Sequence, residues 1–373
     1  MKLVFTCGGT GGHIYPAIAV ANMFRQREKD CEILFIGSDG MEQDIVPRAG
    51  FPLKSVKVSG FQRKLTPKAL CENLRTFFTL RSSMAEVKKI LQEFSPDCII
   101  GTGGYASFPA LKMGAKLGIP TVVHESNAVP GLATRLVADQ VDRILVAFPQ
   151  CRENYRNPEK VVVTGTPTRE EFLYTSREKA RKDLQLDERP MVLSCWGSLG
   201  AREMNKKIAD FMVLESQEDR FQHIHATGSY GWRWMPDHVR ALGLDLEKHP
   251  NLRMQEYIYD MPSAMAATDL MICRAGAATI SELTVSSTPA IIVPSPNVAD
   301  NHQEKNARVL EQAGAAVVIR EQELTAEKLL STVEDLLQNP EKLIKMRKAL
   351  TTLAVVDATE RIYTTIRELC HSH

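Results

Sequence analysis

Four glycine-rich loops constrain this chain more than any other feature. Each follows a short apolar run and opens a segment of helical period. Cys7-Gly-Gly-Thr-Gly-Gly-His13 and Gly101-Thr-Gly-Gly-Tyr105 lie in the first half, Trp196-Gly-Ser-Leu-Gly-Ala201 and Cys273-Arg-Ala-Gly-Ala-Ala-Thr279 in the second. A strand that ends in glycines and turns at once into a helix belongs to an open parallel α/β sheet, whose ligands gather at the strand ends. Glycines let backbone N–H groups converge on an anion, and the helix N-terminus behind them adds a favourable dipole. One such loop reads equally well as a tight turn. Four at matching places in two halves make that alternative much weaker.

The intervening pattern agrees. Leu3–Thr6, Glu32–Ile36, Lys54–Val58, Asp97–Ile100, Pro120–Val123, Arg143–Val146 and Lys160–Val163 read as strands with helical stretches between them, the longest from about Pro67 to Phe94. After Gly165–Arg169 the pattern restarts with Met191–Cys195, His223–Ala226, Asn251–Gln255, Asp269–Ile272, Ala290–Val293 and Ala316–Ile319. The expected fold class is α/β, with two doubly wound parallel-sheet domains over residues 1–165 and 166–356. A chain of 373 residues suits two such cores. The final segment, residues 357–373 with a helix from about Asp357 to Leu369, has two places to pack, its own domain or the first.

Composition removes several classes of function. Hydrophobic residues make up 44% and charged residues 24%, with a formal net charge of +1, so a general nucleic-acid binder is not expected. Eight cysteines fall without a CxxC pair, and the bland reading is reduced thiols in a cytosolic chain. The opening MKLVFTC is too short for a signal segment, and no run approaches the roughly 18–20 apolar residues of a membrane-spanning helix. Gly9-x-Gly11 begins a dinucleotide fingerprint that fails at Ile14, and no GxxxxGK[ST] occurs. Phosphate binding is supported; NAD binding and ATP hydrolysis are not.

The motifs then carry a likeness. GGTGGH at Gly8–His13, MEQDIVP at Met41–Pro47, GGYASFP at Gly103–Pro109, HESN at His124–Asn127 and GTPTR at Gly165–Arg169 come first. WGSLGA at Trp196–Ala201, CRAGAATISE at Cys273–Glu282, DNHQEKNA at Asp300–Ala307 and DATERI at Asp357–Ile362 complete the series. In this order, over essentially the whole chain, they resemble the peptidoglycan glycosyltransferases that add GlcNAc to undecaprenyl-diphospho-muramoyl-pentapeptide. That family has the GT-B architecture, two Rossmann-like domains around a cleft. Its usual GGSQGA, HEQN and GNPVR are replaced here by WGSLGA, HESN and GTPTR. The change at Leu199 removes a polar side chain, so only Ser198 and backbone carry over at that loop.

The resemblance implies UDP-GlcNAc as donor, bound mainly by the second domain. Glu282 would accept hydrogen bonds from the ribose hydroxyls, although Thr279-x-x-Glu282 also spells a capping box. Ala277, Ala278 and Thr279 would offer backbone N–H groups to the diphosphate, and Ser198 and Arg169 would hold it as UDP leaves. Ile258 matches the position whose backbone reads uracil, and His302 and Gln303 would contact the sugar. Thr10, Gly11, Gly12 and Asn127 are also counted with the donor site. On the acceptor side Gly9, Thr10, Gly103, Gly104 and Tyr105 would cradle the diphosphate of lipid I. His13 is one candidate base for the muramoyl 4-hydroxyl, a residue type whose ordinary pKa near 6.5 suits the task. Glu125 is the other, and both stay open; helix capping by His13 and a structural role for Glu125 are the plain alternatives. The expected reaction is a single inverting displacement giving a β1→4 link, lipid II and UDP. No Asp-x-Asp pair is present, so no cofactor and no required metal are expected, with helix dipoles, glycine N–H groups and Arg169 stabilising the leaving group.

Between Gly60 and Arg81 five basic residues face one acid. Lys68, Leu70, Leu74, Arg75, Phe77, Phe78 and Leu80 read as an interfacial patch for an anionic inner-membrane surface, or as an ordinary amphipathic helix on the sheet. The membrane reading gives a peripheral location on the cytoplasmic face of the inner membrane, beside other cell-wall synthesis or division proteins. Three rival functions remain. One is a UDP-GlcNAc 2-epimerase, which shares donor and architecture, and another is a glycolipid synthase using a different UDP-sugar. The third is a non-catalytic nucleotide-sugar-binding subunit.

Overall fold

The computed structural model describes residues 1–58 and 67–371, with side chains for 1–58 and 79–371. The chain divides into two units, Met1–Thr168 with Asp357–His373, and Arg169–Val356.

The first unit is built on a seven-stranded sheet in the order β3-β2-β1-β4-β5-β6-β7. Its strands are β1 (Lys2–Thr6), β2 (Glu32–Gly37), β3 (Leu53–Ser55), β4 (Cys98–Gly101), β5 (Thr121–Glu125), β6 (Arg143–Val146) and β7 (Val161–Val163). Every pairing is parallel, with Phe5 beside both Phe35 and Ile100. Strands buried on both faces need continuous apolar runs, and Leu3, Val4, Phe5, Ile99 and Ile100 are at most 1% exposed. The helix Gly11–Arg27 covers one face through Ile14, Ala17, Ala21 and Phe24.

The helix Ala358–His371 belongs to this same core. Its Ile362, Ile366 and Leu369 are buried there, and the Tyr363 ring lies 4.6 Å from that of Phe24. Tyr363 Oη donates to Glu28, and Arg27 pairs with Glu360 at 2.7 Å.

The second unit repeats the plan with six strands in the order β10-β9-β8-β11-β12-β13. They are β8 (Met191–Cys195), β9 (Gln222–Ala226), β10 (Leu252–Gln255), β11 (Leu270–Cys273), β12 (Ala290–Ile292) and β13 (Ala316–Val318), again all parallel. Its core joins Val192, Leu270, Ile272 and Ile291 of the sheet to Met204, Ile208, Phe211 and Met212 of the helix Arg202–Glu215.

Both strand orders reverse direction once, between β1 and β4 and between β8 and β11. Ligands bind open α/β sheets at such switch points, where flanking connections diverge and leave a crevice. The four glycine loops follow these four strands.

Three sequence expectations change. β3 ends at Ser55 instead of Val58, because beyond the Val56 N–H, which bonds Gly37 O, the chain leaves the sheet edge. β5 runs on through His124 and Glu125, whose polarity hides them from an apolar pattern although both are buried. The capping box does not form: the helix Ala277–Ser286 takes Gly276 as its N-cap, which leaves Thr279 inside the first turn. Among the described residues no helix is long and apolar enough to cross a membrane.

Candidate functional site

In the first unit two glycine loops meet. Gly9 and Gly103 take φ of +88° and +110°, conformations that favour glycine. A Cβ on Gly104 would run into the Gly8 carbonyl, and one on Gly103 would strike the His13 ring. Thr10 is the N-cap of the helix Gly11–Arg27, so Gly11, Gly12 and His13 form its first turn, and His13 is not the cap. The His13 N–H bonds the Thr10 carbonyl at 3.0 Å, and the N–H groups of Gly11 and Gly12 at the helix start suit an anion.

His13 is fixed by a reciprocal pair of bonds. Its Nδ1 lies 3.1 Å from the Thr102 carbonyl, while Thr102 Oγ1 donates to the His13 carbonyl at 2.7 Å. A carbonyl only accepts, so Nδ1 carries the proton and the basic lone pair sits on Nε2. That is the tautomer a general base requires.

Glu125 is occupied differently. It is 5% exposed, and Oε1 accepts from the Asn127 backbone N–H and its side-chain amide at 3.1 and 3.0 Å. Oε2 accepts from Gly131 N–H at 2.9 Å and Thr134 Oγ1 at 2.7 Å. Four donors on one carboxylate tie the loop after β5 to the helix Leu132–Val137. The Asn127 amide is turned towards this carboxylate.

Glu42 does comparable work under the first loop. Fully buried, it accepts from Gly9 N–H, Ser38 N–H and Ser38 Oγ. Burial pushes its carboxyl up, but the bonds from Ser38 and Gly9 outweigh that and hold it below the usual carboxylate range. Glu42 and Thr102 both lie inside motifs visible in the sequence, but nothing in those motifs assigns either side chain a role. Glycines at 8, 37 and 40 crowd Glu42 so closely that any Cβ would meet its side chain. Those glycines were the available signal.

The second unit places Ala277, Ala278 and Thr279 at the N-terminus of the helix Ala277–Ser286, with free backbone N–H groups of the kind a diphosphate needs. Glu282 lies on the same helix. Burial pushes its carboxyl up to about 7, and the Arg169 guanidinium pulls the other way, so these two candidate residues sense each other. Arg169 is exposed, its guanidinium 5.1 Å from the Phe172 ring centre. Ser198 is exposed beside Gly197 and Gly200, both at positive φ. Ile258 is buried between the exposed Tyr257 and Tyr259.

His302 opens the helix His302–Gln312, and its Nδ1 lies 2.8 Å from the Ala299 carbonyl. Gln303 Oε1 accepts from Ser295 N–H at 2.9 Å and Ala275 N–H at 3.3 Å, clasping the loops after β12 and β11. Trp196, where the resembled family carries glycine, is buried with Arg274 5.7 Å over its ring. Arg274 in turn pairs with Glu321 at 2.6 Å.

Of the surface residues expected from sequence, Lys68, Leu70, Leu74, Arg75, Phe77 and Phe78 lie outside the side chains described. Leu80 is half-buried on the helix Pro67–Phe94, and Val87 of the same helix is fully buried.

Two parallel Rossmann-like sheets in one chain, each opening at its switch point on phosphate-type loops, define a GT-B glycosyltransferase architecture. Residues 3–146 match the glycosyltransferase family 28 N-terminal domain, and residues 191–362 match the family's C-terminal domain. The chain is 42% identical to the UDP-N-acetylglucosamine--N-acetylmuramyl-(pentapeptide) pyrophosphoryl-undecaprenol N-acetylglucosamine transferase of Thermoanaerobacter sp. (strain X514), over 99% of this chain and 100% of that one. It is 41% identical to the enzyme of the same name from Acetivibrio thermocellus, over 99% and 98%. A crystal structure of Acinetobacter baumannii MurG aligns with a TM-score of 0.77 at 26% identity, over 98% of this chain and 99% of that one. A putative UDP-N-acetylglucosamine 2-epimerase from Listeria monocytogenes, at 14% identity and a TM-score of 0.69, shares the fold alone. The chain belongs to glycosyltransferase family 28, alongside these N-acetylglucosamine transferases.

Proposed function

We propose that this enzyme transfers GlcNAc from UDP-GlcNAc to the muramoyl 4-hydroxyl of undecaprenyl-diphospho-MurNAc-pentapeptide, releasing UDP. The observation that carries the reading is the end-to-end likeness, at 42% identity, to a transferase named for that donor and acceptor. The geometry of His13 supports the chemistry. With Nδ1–H held by the Thr102 carbonyl, Nε2 takes the proton of the muramoyl hydroxyl as its oxygen attacks the anomeric carbon. The bond to the UDP oxygen breaks on the opposite face, which inverts the centre and gives a β1→4 link. Glu125, saturated by four donors, acts as the scaffold of its loop.

Charge growing on the departing diphosphate meets the N–H groups of Ala277, Ala278 and Thr279, the Ser198 loop and the Arg169 guanidinium. Glu282 accepts from the ribose, the Ile258 backbone reads the uracil, and His302 and Gln303 contact the sugar. Gly9, Thr10, Gly103, Gly104 and Tyr105 receive the acceptor diphosphate. No step needs a metal ion, so activity in excess EDTA should stay within about twofold of that without it. The segment containing Lys68, Arg75, Phe77, Phe78 and Leu80 binds the enzyme peripherally to the cytoplasmic face of the inner membrane; serine at 77, 78 and 80 should release it from anionic vesicles.

The deciding assay follows UDP release from UDP-GlcNAc with and without a short-chain lipid I analogue. Acceptor-dependent release with a new GlcNAc–MurNAc disaccharide is expected. Release without acceptor, yielding ManNAc, would replace the proposal with an epimerase. Binding without turnover under either condition would leave a nucleotide-sugar-binding protein.

A further inference from the structure

Beneath the second unit's loops lies a chain of polar side chains that nothing in the reaction uses directly. Ser194, Asn205, His223, His225 and Thr227 are fully buried, and Glu215 is 3% exposed. The parallel register sets Ser194 of β8 beside His225 of β9. Ser194 Oγ lies 2.7 Å from His223 Nε2 and 2.6 Å from His225 Nδ1. His223 Nδ1 meets Glu215 Oε1 at 2.6 Å, and His225 Nε2 meets Asn205 Oδ1 at 3.3 Å. The chain ends where Asn205 Nδ2 donates to the Thr227 carbonyl at 2.7 Å.

Elimination orders the protons from that end. Asn205 spends its amide nitrogen on a carbonyl, so its oxygen accepts and His225 carries its proton on Nε2. His225 Nδ1 then accepts from the Ser194 hydroxyl, whose oxygen accepts from His223 Nε2–H. His223 and Glu215 share the one remaining proton. Burial and the neighbouring His223 hold His225 well below the ordinary histidine range, in keeping with a neutral ring, and burial raises the Glu215 carboxyl. Each donor has one partner to choose, so the row is a rigid unit instead of an interchangeable cluster.

Its working end touches the loop that carries Ser198. Gly200 and Gly228 stand at φ of +78° and +73°, and a Cβ on Gly200 would collide with the Thr227 carbonyl that Asn205 holds. Ser229 N–H donates to the Ser198 carbonyl at 3.1 Å, and Gly228 N–H donates to the Glu256 carbonyl at 3.0 Å, two residues before Ile258. A Cβ on Gly231 would strike the Asn205 amide, so the helix that follows the turn packs directly on this side chain.

We infer that the buried row Glu215–His223–Ser194–His225–Asn205 is a positioning device, which locks the Thr227–Gly228 turn against the Ser198–Gly200 loop and thereby sets affinity for the uridine diphosphate part of the donor. The inference rests on the reading that the Ser198 loop holds the donor diphosphate. The probe is UDP, titrated calorimetrically against the full chain, so that turnover is not needed. Ser194→Ala deletes only the hydroxyl that joins the two histidines, and Asn205→Ala cuts the link to Thr227. Either folded variant should bind UDP about tenfold more weakly. In turnover, the rise should fall on KM for UDP-GlcNAc, with kcat and the acceptor KM within about twofold.

Ser198→Ala is the control for the underlying reading: if it leaves UDP binding unchanged, the site assignment fails and the positioning role with it. If Ser198→Ala weakens UDP while a folded Ser194→Ala or Asn205→Ala does not, the inference alone is overturned. The unmodified protein supplies a second measurement that needs no variant to fold. Nitrogen-15 spectra of the imidazoles should show His225 as the neutral Nε2–H tautomer, and an Nδ1–H form or an imidazolium would overturn the row.

Discussion

Thr102 and His13 exchange one hydrogen bond in each direction, which holds the Nδ1–H tautomer of the proposed base. His13→Ala should lower kcat by about 10²–10⁴ while leaving thermal unfolding nearly unchanged. Glu125→Ala should do the reverse, costing about 2–3 kcal/mol in urea titration because its four donors are stranded. A folded Glu125→Ala that loses kcat beside an active His13→Ala would exchange the two roles.

Glu282 gives a prediction with a defined sign. Burial pushes its carboxyl up to about 7, and in the proposed contact the ribose hydroxyls favour the ionised form, so donor binding there would expel the proton. Affinity for UDP-GlcNAc should therefore rise as pH climbs through about 7 and level off above it. Glu282→Gln should abolish that dependence. Because the folded carboxyl is raised above its unfolded value, its ionisation costs stability as pH rises, and the same variant should melt roughly 2–4 °C higher at pH 8. An equally pH-dependent Glu282→Gln would remove this carboxyl from the donor site. Spacing alone left Glu282 between ribose and cap, and the family motif favoured the ribose; the observed helix start at Ala277 removes the capping role.

At the scale of elements, strands were legible because parallel strands buried on both faces must be apolar along their length. β6 falls on Arg143–Val146 as the pattern predicts. The polar ends of strands were not legible, since burial of His124 and Glu125 depends on what folds over them. Ser194, His223 and His225 were hidden for a related reason: their connection exists only once β8 and β9 are in register. The glycine loops were visible, but not their supports. Glu42, on the helix Glu42–Arg48, links the loop after β1 to the one after β2. Glu42→Ala should destabilise the protein by about 2–4 kcal/mol and weaken acceptor binding more than donor binding. Its lowered carboxyl contributes stability that is full above the ordinary carboxylate pKa and lost as pH falls through the lowered one. A variant with unchanged urea midpoint would show that the loops stand without it.

For the whole molecule, the sequence predicted two doubly wound halves but left the final helix with two possible homes. Period alone could not choose, because either core offers an apolar face. The structure assigns Ala358–His371 to the first unit, through Tyr363 on Phe24 and the Arg27–Glu360 pair. Ending the chain after Val356 would uncover Phe24 and remove Ile362, Ile366 and Leu369 from the core. The first unit should then unfold several degrees earlier, and calorimetry should show this transition shifting while that of residues 169–356 stays in place. A uniform shift of both transitions would contradict it.

The return of that helix also orders the birth of the molecule. Residues 169–356 form one unbroken stretch, so the second unit is complete as soon as they leave the ribosome. The first unit begins translation earlier yet waits longer, its hydrophobic groove over Phe24 open until residues 358–371 emerge. During synthesis the half proposed to bind the donor is thus ready before the half proposed to receive a lipid. A nascent chain paused before Asp357 would carry one finished domain and one with an exposed seam.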